Sequence, residues 1–229
     1  MEIKKVAVIG GGAAGFFAAI SVKENHPTHQ VILFEKTSKV LSKVKVSGGG
    51  RCNLTHNCRD ISDLCNAYPR GGKKLKSLFY QFSTNDTIDW FESRGVPLKT
   101  EKDGRVFPVS NNSQSIIDCL INEINRLNVI LELGQTIENI EQEKIGWKLK
   151  FKDQPNQKFD AVIIATGGSP KLKGFEWLHN LGHNIIHPIP SLFTFNMPNE
   201  SIIELMGLVV EKARVKIKTA KFKPKGLCW

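Results

Sequence analysis

Apolar positions dominate residues 3–9, where Ile3, Val6, Ala7, Val8 and Ile9 predict a buried strand rich in β-branched side chains. The run stops at Gly10-Gly11-Gly12-Ala13-Ala14-Gly15. Beyond it Phe16, Phe17, Ala18, Ala19, Ile20 and Val22 fall on helical spacing. A second apolar run, Val31-Ile32-Leu33-Phe34, ends at Glu35. Further on, residues 71–82 read as helical, and Ser83 or Thr84 can cap a helix through Asp89, Trp90 and Phe91 that stops at Gly95. Asn112 or Ser113 starts another helix, whose apolar positions Ile116, Ile117, Leu120, Ile121, Ile124 and Leu127 make one stripe. Val129-Ile130-Leu131 reads as a core strand. Trp147, Leu149 and Phe151 alternate with lysines as in a half-exposed strand, and residues 160–165 read as a buried strand ending in Thr166-Gly167-Gly168. Strands and helices in this order predict an α/β fold: a doubly wound parallel sheet with a small antiparallel meander as a side layer.

The length of 229 residues allows one domain and part of a second, at about 100–200 residues per domain. No apolar run approaches the ~20 residues needed to span a bilayer, and the start of the chain lacks the long apolar core of a signal peptide. No membrane association and a cytoplasmic location are therefore expected. The formal net charge of +10 is uneven: residues 210–229 hold seven basic residues against one acid, Glu211. A strand with a solvated face accounts for that tail, and only Phe222 and Trp229 are there to stack on bases, so nucleic acid is not an expected partner. The cysteines Cys52, Cys58, Cys65, Cys119 and Cys228 form no CxxC pair, and His56 between the first two fits no standard ligand spacing. Reduced thiols and no metal site are expected.

The glycine turn carries the clearest chemistry. Gly10 permits a tight turn off the strand, Gly12 lets a pyrophosphate approach the backbone, and Gly15 lets the helix pack close to the strand. The helix start presents unpaired N–H groups and the positive end of its dipole to an anion. Glu35, 20 residues beyond Gly15 at the end of the second strand, can accept from ribose hydroxyls and would repel a 2′-phosphate. The unit is a dinucleotide site that disfavours NADP and leaves FAD and NAD open.

A second glycine-rich block, Ser47-Gly48-Gly49-Gly50-Arg51-Cys52-Asn53, follows Glu35 closely. Its backbone N–H groups, with Arg51 and Asn53 as donors, suit a planar polar ring or a phosphate, and a plain NAD unit needs no such second cradle. Together with Val6–Gly15, Gly104-Arg105-Val106-Phe107-Pro108 and Ala165-Thr166-Gly167-Gly168, in this order, the block makes the chain resemble the BaiN-type, or HI0933-like, flavoproteins. The similarity runs from the N-terminus to about residue 217 and is carried most specifically by the Ser47–Asn53 block.

The resemblance implies a Rossmann-type FAD-binding domain of the glutathione-reductase type with a β-meander, over residues 1–190. Residues 191–229 would be the start of an inserted, mainly β domain. It implies that Gly10, Gly12, Ala13, Ala14 and Gly15 hold the FAD pyrophosphate, and that Glu35, with Lys36 beside it, holds the adenosine ribose. Lys43, Gly50, Arg51 and Asn53 would lie along the flavin and ribityl side, Ile137 at the adenine, and Thr166 and Gly167 would close the site. The activity implied is an FAD-dependent oxidoreductase passing hydride between NAD(P)H or a reduced substrate and a small molecule. A nucleotide-binding module without turnover is the alternative, because the family pattern continues beyond residue 229 and a C-terminal truncation is expected. No catalytic acid or base stands out. Arg105 is read equally as a flavin contact or as the surface end of a loop whose Phe107 packs inward. Cys52 is read as packing, and His187 as a surface histidine at a hinge.

Overall fold

The computed structural model describes residues 4–69, 71–169, 171–189 and 197–205. In chain order the regular elements are β1 (Lys5–Ile9), α1 (Ala13–Asn25), β2 (Gln30–Phe34), α2 (Ser42–Val46), β3 (Thr55–His56), α3 (Ile61–Asn66), α4 (Gly72–Phe79) and α5 (Thr84–Glu92). They continue with β4 (Leu98–Thr100), β5 (Arg105–Pro108), α6 (Gln114–Arg126), β6 (Ile130–Glu132), β7 (Ile137–Gln142), β8 (Trp147–Phe151), β9 (Gln157–Phe159), β10 (Ala161–Ile164) and α7 (Glu176–Asn180). The chain divides into two units, Met1–Pro188 and Ile189–Trp229. In the second, the described residues form a short 3₁₀ segment, Ser201–Leu205; the expected strand over 209–217 and the basic tail lie outside the described residues. No helix among the described residues is long and apolar enough to cross a membrane.

The first unit is a Rossmann-type α/β domain in three layers. Its centre is a parallel sheet in the order β10-β1-β2-β6. Successive side chains of a strand point to opposite faces, and β1 and β2 are apolar on both. Val6, Val8, Val31 and Leu33 pack beneath α1 and α6 with Phe16, Ala19, Ile20, Ile116, Leu120 and Ile124. Ala7, Ile9, Ile32 and Phe34 pack against Ile140, Leu149, Phe151 and Phe159 of the antiparallel meander β7-β8-β9. A second three-stranded sheet, β3-β5-β4, carries the segment after the triple glycine.

The helix ends follow local chemistry. Ser83 and Asp86 make a capping box at the start of α5. The helix closes with Gly95 at φ +79°, where Val96 N–H donates to the Phe91 carbonyl at 3.1 Å and Gly95 N–H to that of Glu92 at 3.0 Å. The same closing motif ends α6 with an asparagine in the left-handed position: Asn128 has φ 56°, and Val129 N–H donates to Ile124 at 2.8 Å. Arg94, stacked 3.9 Å over the Trp90 ring, pairs with Glu24 of α1 and with Glu123 of α6, which ties three helices together.

Two expectations are corrected. The strand read at 129–131 is not a core strand: β6 lies at one end of the sheet order, with Ile130 39% exposed and Leu131 half-buried. The strand at 160–165 is not a buried one: β10 is half-buried and Ile164 is 37% exposed. Among the described residues β10 pairs with β1 alone, so one of its edges has no partner strand; apolar composition identifies a strand but not its place in the sheet.

Candidate functional site

The ends of β1, β2 and β10 converge on the first glycine turn. Gly10 N–H donates to the Phe34 carbonyl at 2.8 Å and Ala165 N–H to that of Ile9 at 2.8 Å. Gly10 has φ +114°, and a Cβ there would lie 2.4 Å from the Ala165 carbonyl oxygen. A Cβ on Gly15 would lie 1.9 Å from the Gly10 carbonyl oxygen, so α1 starts where no larger residue fits. Gly12 is different: a Cβ there would meet nothing within 4 Å. Gly12, Ala13 and Ala14 are exposed, and the first helical bond runs from Phe16 N–H to the Gly12 carbonyl at 3.0 Å. The preceding N–H groups of α1 therefore have no intrahelical partner and lie at the positive end of the helix dipole, those of Ala13 and Ala14 on exposed residues.

Glu35 is fixed by this turn. Its Oε2 accepts from Gly11 N–H at 2.8 Å, and its Oε1 accepts from Thr37 N–H and Thr37 Oγ1, both at 2.9 Å. Partial burial pushes the carboxyl up, but the bonds from Thr37 and Gly11 outweigh it and hold Glu35 below the usual glutamate range. The middle glycine, Gly11, which a GxGxxG template leaves free, is required here: a Cβ would lie 2.9 Å from both Glu35 Cβ and Val40 Cγ1. A glycine facing a distant acid is the signal that could have marked it.

Six of the sequence-predicted residues meet in one cavity of about 320 Å³: Gly10, Glu35, Lys36, Ile137, Thr166 and Gly167. Gln135, Thr136, Ser169 and Trp177 also line it. Ser169 and Trp177 were not expected; they come from an irregular loop and a five-residue helix too short to show periodicity. A second cavity, of about 480 Å³ and mostly apolar, takes Ala13, Lys43 and Asn53, with Phe17, Phe82, Phe91, Ile116 and Leu120. Lys43 Nζ lies 3.7 Å from where a Cβ on Gly167 would sit, so a residue of the second cavity reaches the rim of the first. Gly12, Ala14, Gly15, Gly50 and Arg51 line neither cavity.

The second glycine block follows α2 directly as a 3₁₀ turn, Ser47–Gly50, and a tight bend. Gly48, Gly49 and Gly50 have φ of 55°, 67° and 85°, and Cys52 has φ 60°. A Cβ on Gly48 would lie 2.6 Å from Asn53 N and 3.0 Å from Phe107 Cε1, whereas Gly49 and Gly50 face open space. The loop is anchored on β5: Leu54 N–H donates to the Val106 carbonyl at 2.9 Å, and Ser113 N–H to that of Gly50 at 2.8 Å. Arg51 lies 3.9 Å over the Phe107 ring and pairs with Glu101 at 2.6 Å. The Ser47–Asn53 block and the Gly104–Pro108 block are thus two halves of one structure. Arg105 pairs with Asp103 and Glu101 while Phe107 is fully buried, which is the arrangement of a loop end. Burial pushes the Cys52 thiol up against a weaker lowering by Ser47, so it stays a neutral packed group. His187 is exposed.

Residues 4–221 match the model of the HI0933-like protein Rossmann domain. The chain belongs to this family. Among its relatives is a 3-dehydro-bile acid delta(4,6)-reductase of Clostridium scindens, 26% identical over 90% of this chain and 51% of that protein. Another is a ribosomal RNA dihydrouridine synthase of Escherichia coli, 27% identical over 91% of this chain and 52% of that protein. The chain spans about half the length of these curated relatives. In fold it is similar to a 3-ketosteroid-delta4-(5alpha)-dehydrogenase from Rhodococcus jostii RHA1, with a TM-score of 0.57 and 15% identity over 77% of this chain and 49% of that one.

Proposed function

We propose that this chain binds FAD and forms the nucleotide-binding part of a reductase acting on a carbon–carbon double bond conjugated to a carbonyl. The observation that carries the cofactor reading is the pair of cavities flanking one glycine turn, joined where Lys43 approaches Gly167. Glu35, already oriented by Gly11 and Thr37, would accept from the adenosine ribose. The open N–H groups of Gly12, Ala13 and Ala14 would take the diphosphate, with Lys43 adding a positive charge. The left-handed run Gly48–Gly50, with Asn53, would form the wall on the ring side. When bound, FAD supplies the hydride chemistry; the chain orients it and keeps water from it. The substrate class rests on the names of the two curated relatives, both of which describe reduction of a double bond in a ring that carries a carbonyl. NAD(P)H is the proposed electron donor and a small molecule the proposed substrate.

The second reading is a module that binds FAD without turning over. Titration of the purified chain with FAD, read by quenching of flavin fluorescence, tests the first step, and NADH oxidation with an enone acceptor tests the second. Gly12→Val is the sharp variant. Its side chain meets no protein atom, so the melting temperature should hold, while FAD affinity falls on the order of 10–100-fold through lost charge-assisted bonds. FAD uptake that is absent in the parent chain, or unchanged in Gly12→Val, defeats the proposal. Binding without turnover selects the module.

A further inference from the structure

One wall of the first cavity comes from neither glycine motif: it is a clip built on α7. A 3₁₀ turn, Leu172–Phe175, leads straight into that helix. Ser169 Oγ donates to the Lys171 carbonyl at 2.9 Å, which closes the approach to the turn. Gly174 sits against Ser169, since a Cβ on Gly174 would lie 2.6 Å from Ser169 Cβ. The Gly174 carbonyl in turn accepts from Trp177 Nε1–H at 3.1 Å. Ser169, Gly174 and Trp177 all line the cavity. Trp177 also packs, with Ile137, on the core shared by the parallel sheet and the meander.

This indole differs from the other large rings of the domain. Phe34 lines the same cavity, but it is 2% exposed and meets Phe151 and Phe159 in T-shaped contacts. Trp90 is covered by Arg94, Phe17 and Phe91. Trp147 lies in β8 and lines neither cavity. Trp177 is half-buried, and among the described residues no aromatic ring or cation stacks on it. Its single N–H already has Gly174 as partner, so the indole has no donor left. What it can offer a ligand is ring surface.

We propose that Trp177 is a specificity-determining residue for the nucleotide: it stacks on the adenine ring and makes the first cavity select a purine. The inference rests on the cofactor reading, in which Glu35 takes the ribose, and adds a partner for the base. A lining that combines one uncovered ring with the polar residues Gln135 and Thr136 fits a flat heterocycle with a π face and a rim of nitrogen donors and acceptors. Gln135 is tied to the ribose side, because its N–H donates to the Glu35 carbonyl at 2.9 Å. Trp177 is a binding residue only, and its test needs no turnover.

The experiment is calorimetric titration of the full chain with ADP, UDP and FAD, on the parent, Trp177→Leu and Trp177→Phe, with melting temperatures to control for folding. The parent should bind ADP at least about fivefold tighter than UDP, because a purine offers more ring to stack than uracil. Trp177→Leu should weaken ADP and FAD alike by about tenfold and UDP by less, so that the purine preference narrows. Trp177→Phe keeps a ring and should recover most of both the affinity and the preference. A parent that takes up neither FAD nor ADP defeats the cofactor reading and this inference with it. FAD uptake by the parent with equal affinity for ADP and UDP overturns the inference alone, as does a Trp177→Leu protein that binds ADP like the parent. Equal losses in Trp177→Leu and Trp177→Phe with the purine preference intact would make the indole a filler of the wall, and overturn it too. If Trp177→Leu does not fold, the two nucleotides on the parent and on Trp177→Phe decide: the preference must be present in the first and reduced in the second.

Discussion

The two glycine-rich segments that flank the cavities are held by different physics. The Gly10–Gly15 turn is held by backbone against backbone. Gly10 presses on Ala165, Gly15 presses on Gly10, and Gly11 presses on the Glu35 stem. The Ser47–Asn53 loop adds side-chain tethers to its backbone bonds: Arg51 on the Phe107 ring, Glu101 on Arg51, and the Ser113 hydroxyl donating to the Lys45 carbonyl, beside the Ser113 N–H donating to that of Gly50. A backbone contact cannot yield without moving a strand, whereas an ion pair can be lost while its neighbours stay in place. The first segment should therefore fail by unfolding, and the second by loosening while the fold persists.

Gly15→Val tests the first half of that contrast and should have the largest effect. With the Gly10 carbonyl oxygen 1.9 Å from the new Cβ, α1 must shift off the sheet, and overpacking of this kind costs about 3 kcal/mol or more. In a domain of this size that corresponds to a fall of roughly 6–12 °C in melting temperature, read by circular dichroism. A Gly15→Val protein that melts with the parent would mean the backbone contact is not what holds the turn.

Glu35→Gln probes the same turn more gently. A carboxylate accepts from both Gly11 and Thr37; an amide keeps one acceptor and turns its NH₂ toward an N–H group. The expected loss is about 1–2 kcal/mol at neutral pH. The pH dependence follows from the sign of the shift. Hydrogen bonds from Thr37 and Gly11, outweighing burial, hold the folded-state pKa of Glu35 below its unfolded value. Its contribution is therefore full above the ordinary glutamate pKa and is lost as pH falls through the lower, folded-state value. Melting curves between neutral and acidic pH should show a shallower acid limb in Glu35→Gln. Parallel limbs would show that Glu35 is not bonded as described.

Much of the first segment was legible in the sequence because its signals are local. An apolar strand, a glycine turn, a helical stripe and an acid at a fixed distance lie within one short stretch, and each reports on its neighbours. The boundary of α5 was legible for the same reason, from Ser83 and Gly95. The second segment was not. Glycines and lysines hid the single helical turn Ser42–Val46, and a two-residue strand, Thr55–His56, has no period to read. Arg51 looked like a free donor because its partners, Glu101 and Phe107, lie some fifty residues away. The exposure of β10 and the left-handed Asn128 were missed on similar grounds: the first depends on sheet order, and the second on a helix end that carries no glycine.

Glu101→Gln tests the other half of the contrast, and its effect on stability should be the smallest. Arg51 and Glu101 are both about one-third exposed, so screening limits the pair to roughly 0–1 kcal/mol, and the stack on Phe107 survives the change. The melting temperature should move by no more than a few degrees. What should change is the loop: with one tether gone, amide hydrogen exchange over residues 47–53 should quicken, because local opening no longer has to break the ion pair. Exchange over residues 10–15 should stay as it was, since no contact of Glu101 reaches that turn. If exchange rises equally in both segments, the two are one cooperative unit, and the separation between a backbone-held turn and a loop with side-chain tethers fails.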